Sequence, residues 1–185
     1  MKQALIIFML LLSLSAVAQS KREIADRGMK SITTTTFDVR KGDTTFRKNI
    51  SRFDKQGNVI ESIDYDAKGN VKDWDQFQFN RNGDEVLHVQ LSSSGQPVRK
   101  TTTAYNKWNK VEEQVITDET GSVIEKTSFH YNTENDLLEE TQVDKSGAVI
   151  RRTVYTYDHK GMPLSRKIYN EKGELIYSRD YINEY

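Results

Sequence analysis

No cysteine occurs anywhere in the 185 residues, so no disulfide braces this chain and no lipoprotein cysteine awaits acylation. Proline is almost missing, at two residues, which leaves few positions where a β ladder must lose a donor. After the first eighteen residues no apolar run approaches the about 20 residues of a spanning helix, so no membrane span is expected. An excess of either charge is lacking as well, with 27 Lys and Arg against 27 Asp and Glu. Such a balance exerts no long-range pull on nucleic acid or on an anionic membrane surface, and nucleic acid is not an expected partner.

The one long apolar stretch lies at the start. Lys2 gives a positive beginning, Leu5 to Leu14 an apolar centre, and Ala16-Val17-Ala18 a small-residue cleavage site ahead of Gln19. Residues 1–18 therefore have the pattern of a secretory signal peptide, and the expected location is exported, periplasmic or extracellular. Its removal takes away Lys2 and no acid, leaving 26 basic against 27 acidic side chains. Residues 19–30 are expected to form a mobile or weakly helical leader, and residues 31–185 a single β-repeat domain without an internal boundary.

What the sequence has in abundance is turns. Gly57, Gly69, Gly83, Gly95, Asn109, Gly121, Asn135, Gly147, Gly161 and Gly173 are separated alternately by 12 and 14 residues, a 26-residue period with two turns per unit. Three positions before each of them stands Asp, Asn or Ser, from Asp54 and Asp66 to Asp158 and Asn170. Such side chains accept hydrogen bonds from a type I turn, and Gly or Asn tolerates the left-handed residue that closes a three-residue hairpin loop. In the first hairpin this geometry pairs Asp54 with Asn58 and sets Phe53 opposite Val59. Another turn is expected near Asp43, with Ser31 to Val39 as an earlier strand.

The expected fold is thus all-β, a repetitive antiparallel up-and-down meander of about 11–12 strands forming a curved sheet or barrel. Because both spacings are even, strand alternation predicts that every odd residue faces one way. From residue 47 onward every Phe and Tyr is odd, which makes the odd face the expected buried one. An aliphatic stripe follows on even positions three residues after most turns: Ile60, Val86, Val98, Ile124, Leu138, Ile150, Leu164 and Ile176. Local bulges are expected at the three turns that precede Val86, Val98 and Leu164, where the aliphatic residue is delayed by one place.

Tyr65-Asp66-Ala67-Lys68-Gly69, Tyr157-Asp158-His159-Lys160-Gly161 and Tyr169-Asn170-Glu171-Lys172-Gly173 resemble the YD repeats of Rhs and teneurin-type proteins. The resemblance covers residues 37–185 and implies winding β-sheet shells on secreted or surface proteins, some enclosing a toxin. This chain departs from that pattern in its shortness; neither a cargo domain nor a self-cleaving segment is expected, and the enclosing role is not carried over as an expectation. A weaker similarity is to MORN-type hairpin repeats, whose glycine pattern is not reproduced.

Chemistry-bearing motifs are sparse. His88, His130 and His159 have no second ligand at metal spacing, the glycines belong to the turns, and no phosphate loop or nucleophile elbow is present. No enzyme activity, catalytic residue, cofactor or metal is expected. Trp74, His88 and Lys100 form the candidate binding group, on three consecutive strands of the even face with His88 opposite Lys100. Glu140 and Arg152 are expected as direct cross-strand neighbours. An odd-face band of Glu61, Asp73, Arg99, Glu113, Glu125, Glu139 and Arg151 would line a polar lumen in a closed barrel. The aromatic terminus after Tyr177 resembles an outer-membrane barrel strand, but outward Lys, Arg, Asp and Gln argue against a lipid-facing band. The functional expectation is an exported, non-enzymatic β-repeat binding or structural module with a protein, glycan or small-molecule partner. The alternative is a soluble carrier whose aromatic inner face holds a lipid or other small molecule.

Overall fold

The computed structural model describes residues 20–40 and 43–185. The expected signal peptide and the tip of the turn before Asp43 lie outside the described residues. A short helix α1 (Lys21–Asp26) precedes twelve strands: β1 (Ser31–Arg40), β2 (Asp43–Phe53), β3 (Val59–Tyr65), β4 (Val71–Phe79), β5 (Glu85–Leu91), β6 (Pro97–Tyr105), β7 (Val111–Asp118), β8 (Val123–Tyr131), β9 (Leu137–Asp144), β10 (Val149–Tyr157), β11 (Pro163–Asn170) and β12 (Leu175–Asp180). They form one antiparallel sheet in sequence order. β1 and β12 do not pair, so the sheet is open and the barrel form of the expectation is not adopted.

The turns follow their residue chemistry. At the first, Asp54 N–H donates to Asn58 O, Gly57 N–H donates to Asp54 O, and Asp54 Oδ1 accepts from the Gln56 and Asn58 amides at 2.9 Å. The same backbone pair recurs at all ten turns, and the first-position side chain accepts there each time, including Ser92 Oγ from the Gln96 amide. The closing residue is left-handed throughout; Asn109 and Asn135 adopt it with φ of 61° and 69°.

Phe53 faces Val59 as expected. One step further out, however, Arg52 pairs with Glu61, so Ile60 is an extra residue with no partner of its own. A register shift of this kind occurs at every one of the ten lattice turns, not at three. The residue three after the turn is the bulge each time, and the even aliphatic stripe consists of bulged residues. This overturns the single odd face: each bulge reverses the alternation, so odd residues point one way on β3 and the opposite way on β4.

The register defines two faces. An ion-pair face carries Glu61, Trp74, Lys100, Glu113, Lys126, Glu139 and Arg152. An aromatic face carries Phe53, Phe77, Phe79, Tyr105, Phe129, Tyr131, Tyr155, Tyr157 and Tyr177, contributed by alternate strands. Tyr65 and Tyr169 fall on the ion-pair face instead. The expected polar band splits too: Asp73, Arg99, Glu125 and Arg151 share the aromatic face, while Glu61, Glu113 and Glu139 lie on the other.

Neither face is sealed. Ile24, Ile63, Val89 and Ile168 are the buried apolar residues among those described, and no side chain there is less than 2 % exposed. Hydrogen-bonded ties between repeats add to the continuous ladder. On the aromatic face Tyr105, Tyr131 and Tyr157 donate to the carbonyls of Glu85, Val111 and Leu137 at 2.9, 2.7 and 2.8 Å, and the Asn183 amide donates to Pro163 O at 3.0 Å. Each acceptor lies one residue before a bulge.

The leader carries the short helix α1. Ser20 Oγ accepts from the Glu23 amide at 3.2 Å, Glu23 pairs with Arg27 at 2.7 Å, and Ile24 is buried. The helix sits on the Gly57 turn, and Lys30 O accepts from Phe53 N–H at 2.9 Å.

Candidate functional site

Trp74, His88 and Lys100 are not brought together. Trp74 and Lys100 share the ion-pair face, whereas His88 lies on the aromatic face, because the bulge at Val86 shifts β5 by one residue. His88 stands opposite Thr101, and Lys100 opposite Val89.

Trp74 is half-buried and committed to the fold. Its indole N–H donates to Glu61 Oε1 at 3.0 Å, and its ring covers the Gly95 turn. Glu61 is 7 % exposed and also accepts from Arg52 Nη1 and from Gln76 Nε2 at 3.2 Å, so this buried carboxylate is well satisfied. Trp74, Lys100, Lys126 and Arg152 occupy one 26-residue position, and Glu61, Leu87, Glu113 and Glu139 another. Lys126 pairs with Glu113, and Arg152 with Glu139 at 2.8 Å. Among the described residues Lys100 has no such partner, and Leu87 stands where the acid would be. The expected Glu140 and Arg152 neighbours are on opposite faces: Glu140 pairs with Thr153, and Arg152 with Thr141. Arg52, Glu61, Gln76, Gln78, Leu87 and Val89 line a shallow depression of ≈ 630 Å³ on the ion-pair face.

His88 belongs to a different arrangement. Its ring stacks on Phe77 with centroids 4.7 Å apart, and Nε2 lies 2.7 Å from Asp75 Oδ1. Burial pushes the carboxyl of nearby Glu85 above its ordinary range, His88 opposes that shift and Asp75 adds to it. The position of His88 recurs every 26 residues as Ser62, His88, Gln114, Glu140 and Arg166. All five are half-buried on the aromatic face, on β3, β5, β7, β9 and β11. Their partners on the preceding strand are Ser51, Phe77, Thr103, Phe129 and Tyr155. A polar column thus runs across the sheet between side chains of the aromatic strands.

Members of the column engage their neighbours differently. Asn49 Nδ2 donates to Ser62 Oγ at 3.1 Å, and Gln114 Nε2 lies 3.4 Å from Thr103 Oγ1. Tyr155 donates to Glu140 Oε1 at 2.6 Å; burial first, and that carboxylate second, push the Tyr155 hydroxyl up to about 12. Arg166 Nε is buried with no hydrogen-bond partner. Of the other column members, Ser62, Gln114 and Arg166 were not among the binding candidates drawn from the sequence and Glu140 was named only as a neighbour of Arg152, although stepping 26 residues from His88 reaches each of them.

Comparison with known proteins gives no family-model match and no match among curated proteins. Solved structures that align with this chain include the Photorhabdus luminescens Tc holotoxin pore, at 13 % identity and a TM-score of 0.44, covering 80 % of this chain and 9 % of that one. A porin-like protein from Bacteroides uniformis aligns at 13 % identity and a TM-score of 0.39, covering 75 % of this chain and 54 % of its own. A TcdB2-TccC3 toxin complex aligns at 11 % identity and a TM-score of 0.30, covering 82 % and 11 %. In each case this chain spans well under two thirds of the other protein.

Proposed function

We propose that this chain is an exported, non-enzymatic β-repeat module of the YD-repeat type that binds a partner at the cell envelope or outside the cell. The observation that carries the reading is the column of Ser62, His88, Gln114, Glu140 and Arg166. Turn residues, bulges and tyrosine ties are nearly constant from repeat to repeat, because the fold uses them. The column changes at every repeat between neutral, aromatic, acidic and basic chemistry on an uncovered face. A constant frame carrying one variable polar side chain per repeat is a surface suited to reading an extended partner, a protein or glycan among the candidates. No helix among the described residues is long and apolar enough to cross a membrane.

A carrier for a lipid or other small molecule is the second reading, favoured by Phe77, Phe79, Phe129 and Tyr131 on that same open face. Denaturing mass spectrometry of extracts from native protein separates the two: a recovered small molecule supports the carrier. Under the binding-module reading, cross-linking in the envelope fraction captures a partner that is lost in His88→Ala and Gln114→Ala and kept in Lys100→Ala, which alters the other face. Equal capture by all three variants contradicts the column. Export is checked on the same material, with a mature amino terminus at Gln19 expected and an intact Met1 in the cytoplasm opposing it.

A further inference from the structure

We propose that Arg166 and Arg179, side by side on β11 and β12, form a binding site for an oxyanion, the carboxylate or phosphate group of a ligand. This rests on the reading of the aromatic face as a recognition surface and names the chemistry at one end of its column. The two arginines are direct cross-strand partners on that face. Like charges so placed repel one another, and an anion held between them removes the repulsion. Arg166 Nε is buried and has no hydrogen-bond partner, a donor left desolvated at a cost that an acceptor would recover.

The described residues give these arginines no carboxylate partner. Among the described residues neither is in an ion pair, in contrast to Arg52, Lys126 and Arg152, each of which meets a carboxylate on the other face. The acid of the same column, Glu140, accepts the Tyr155 hydroxyl at 2.6 Å. Both guanidinium carbons lie 5.8 Å from a tyrosine ring centroid, Arg166 over Tyr155 and Arg179 over Tyr177. The tyrosines also hydrogen-bond the planar groups, Tyr155 to Arg166 and Tyr181 and Tyr177 to Arg179, which holds the two forks in place while Arg166 Nε stays without an acceptor for an oxyanion to supply.

The test titrates the purified protein with inorganic phosphate and, separately, with glucuronate, while NMR follows the Arg166 Nε–Hε signal. A saturable shift is expected with at least one anion; phosphate alone points to a phosphorylated ligand, glucuronate alone to a carboxylated one. Arg179→Gln is expected to weaken the titration by about tenfold or more. Its thermal midpoint should be unchanged or raised, since a repulsion is removed. Arg166→Lys keeps the charge, loses the fork and should also bind more weakly. No saturable shift with either anion overturns the proposal, as does undiminished binding by Arg179→Gln or a lowered midpoint in that variant, which would make the pair structural. If His88→Ala and Gln114→Ala lose the cross-linked partner while both titrations stay silent, the anion site falls and the recognition column stands.

Discussion

Tyr131 donates its hydroxyl to the carbonyl of Val111 at 2.7 Å, twenty residues earlier and on the hairpin one repeat before it. The acceptor sits beside the Glu112 bulge, where the ladder slips, and the tyrosine satisfies a carbonyl at that slip. Tyr105 and Tyr157 repeat the bond, so the tyrosine of the turn motif ties one repeat to the next as well as adding apolar area.

Tyr131→Phe should therefore cost about 1 kcal/mol in urea unfolding, the usual worth of one such hydrogen bond. Phe79 holds the equivalent position without a hydroxyl, so the ring itself is compatible with the site. A cost below the error of the measurement would show that the bond contributes nothing.

Alkaline pH should weaken the fold. Burial, followed by Glu140, raises the Tyr155 hydroxyl from 10.0 to about 12, and burial also raises Tyr105, Tyr131 and Tyr157. The folded chain then holds protons that the unfolded chain releases. The contribution is complete below pH about 10 and is lost as pH rises toward about 12. Tyr155→Phe should flatten the fall in stability across that window; an unaltered slope would refute the assignment.

Acid acts in the opposite sense through the turns. Hydrogen bonds from the side chains of Asn70 at Asp66, Ser146 at Asp144 and Tyr185 at Asp158 lead the causes that hold these carboxyls below 3.8, Asp158 at about 2. Their contribution is present above the unfolded value and lost as pH falls through the folded one. Asp66→Asn and Asp144→Asn should reduce the pH dependence below about 4 with little change at neutral pH, because Asn80, Asn106, Asn132 and Asn170 already fill this role elsewhere. Severe destabilisation at neutral pH would show that the turns need a charge.

The left-handed turn residues should not be equivalent. Gly147→Val should cost about 1 kcal/mol or more through backbone strain, and Gly147→Asn less, since Asn109 and Asn135 hold this conformation. Gly57→Asn should be worse than Gly147→Asn, because its Cβ would lie 2.1 Å from the Lys21 carbonyl oxygen and displace α1, while nothing lies within 4 Å at Gly147. Equal unfolding midpoints for the two Asn variants would place the helix elsewhere.

The turns were legible because each requires particular residues: an acceptor such as Asp54, a left-handed Gly57, and Phe53 facing Val59. The strand order followed from them. What the alternation rule concealed was the bulge, since an even loop spacing looks the same whether or not one residue of the second arm of each hairpin is unpaired. The signal lay in adjacent aliphatics, Val123-Ile124, Val149-Ile150 and Leu175-Ile176, which break period-two alternation just where the ladder slips. That one residue moved Trp74 and Lys100 away from His88, and separated Glu140 from Arg152. His88 remained a useful pointer, because its 26-residue relatives form the column, whereas the indole of Trp74 is used in satisfying Glu61.

Everything proposed for the aromatic face depends on the bulge in each hairpin, and NMR cross-strand contacts test it most directly. NOEs between the rings of Phe77 and His88, together with contacts from His88 to Thr101, are the predicted result. NOEs from the His88 side chain to Lys100, with none to the Phe77 ring, would contradict the account.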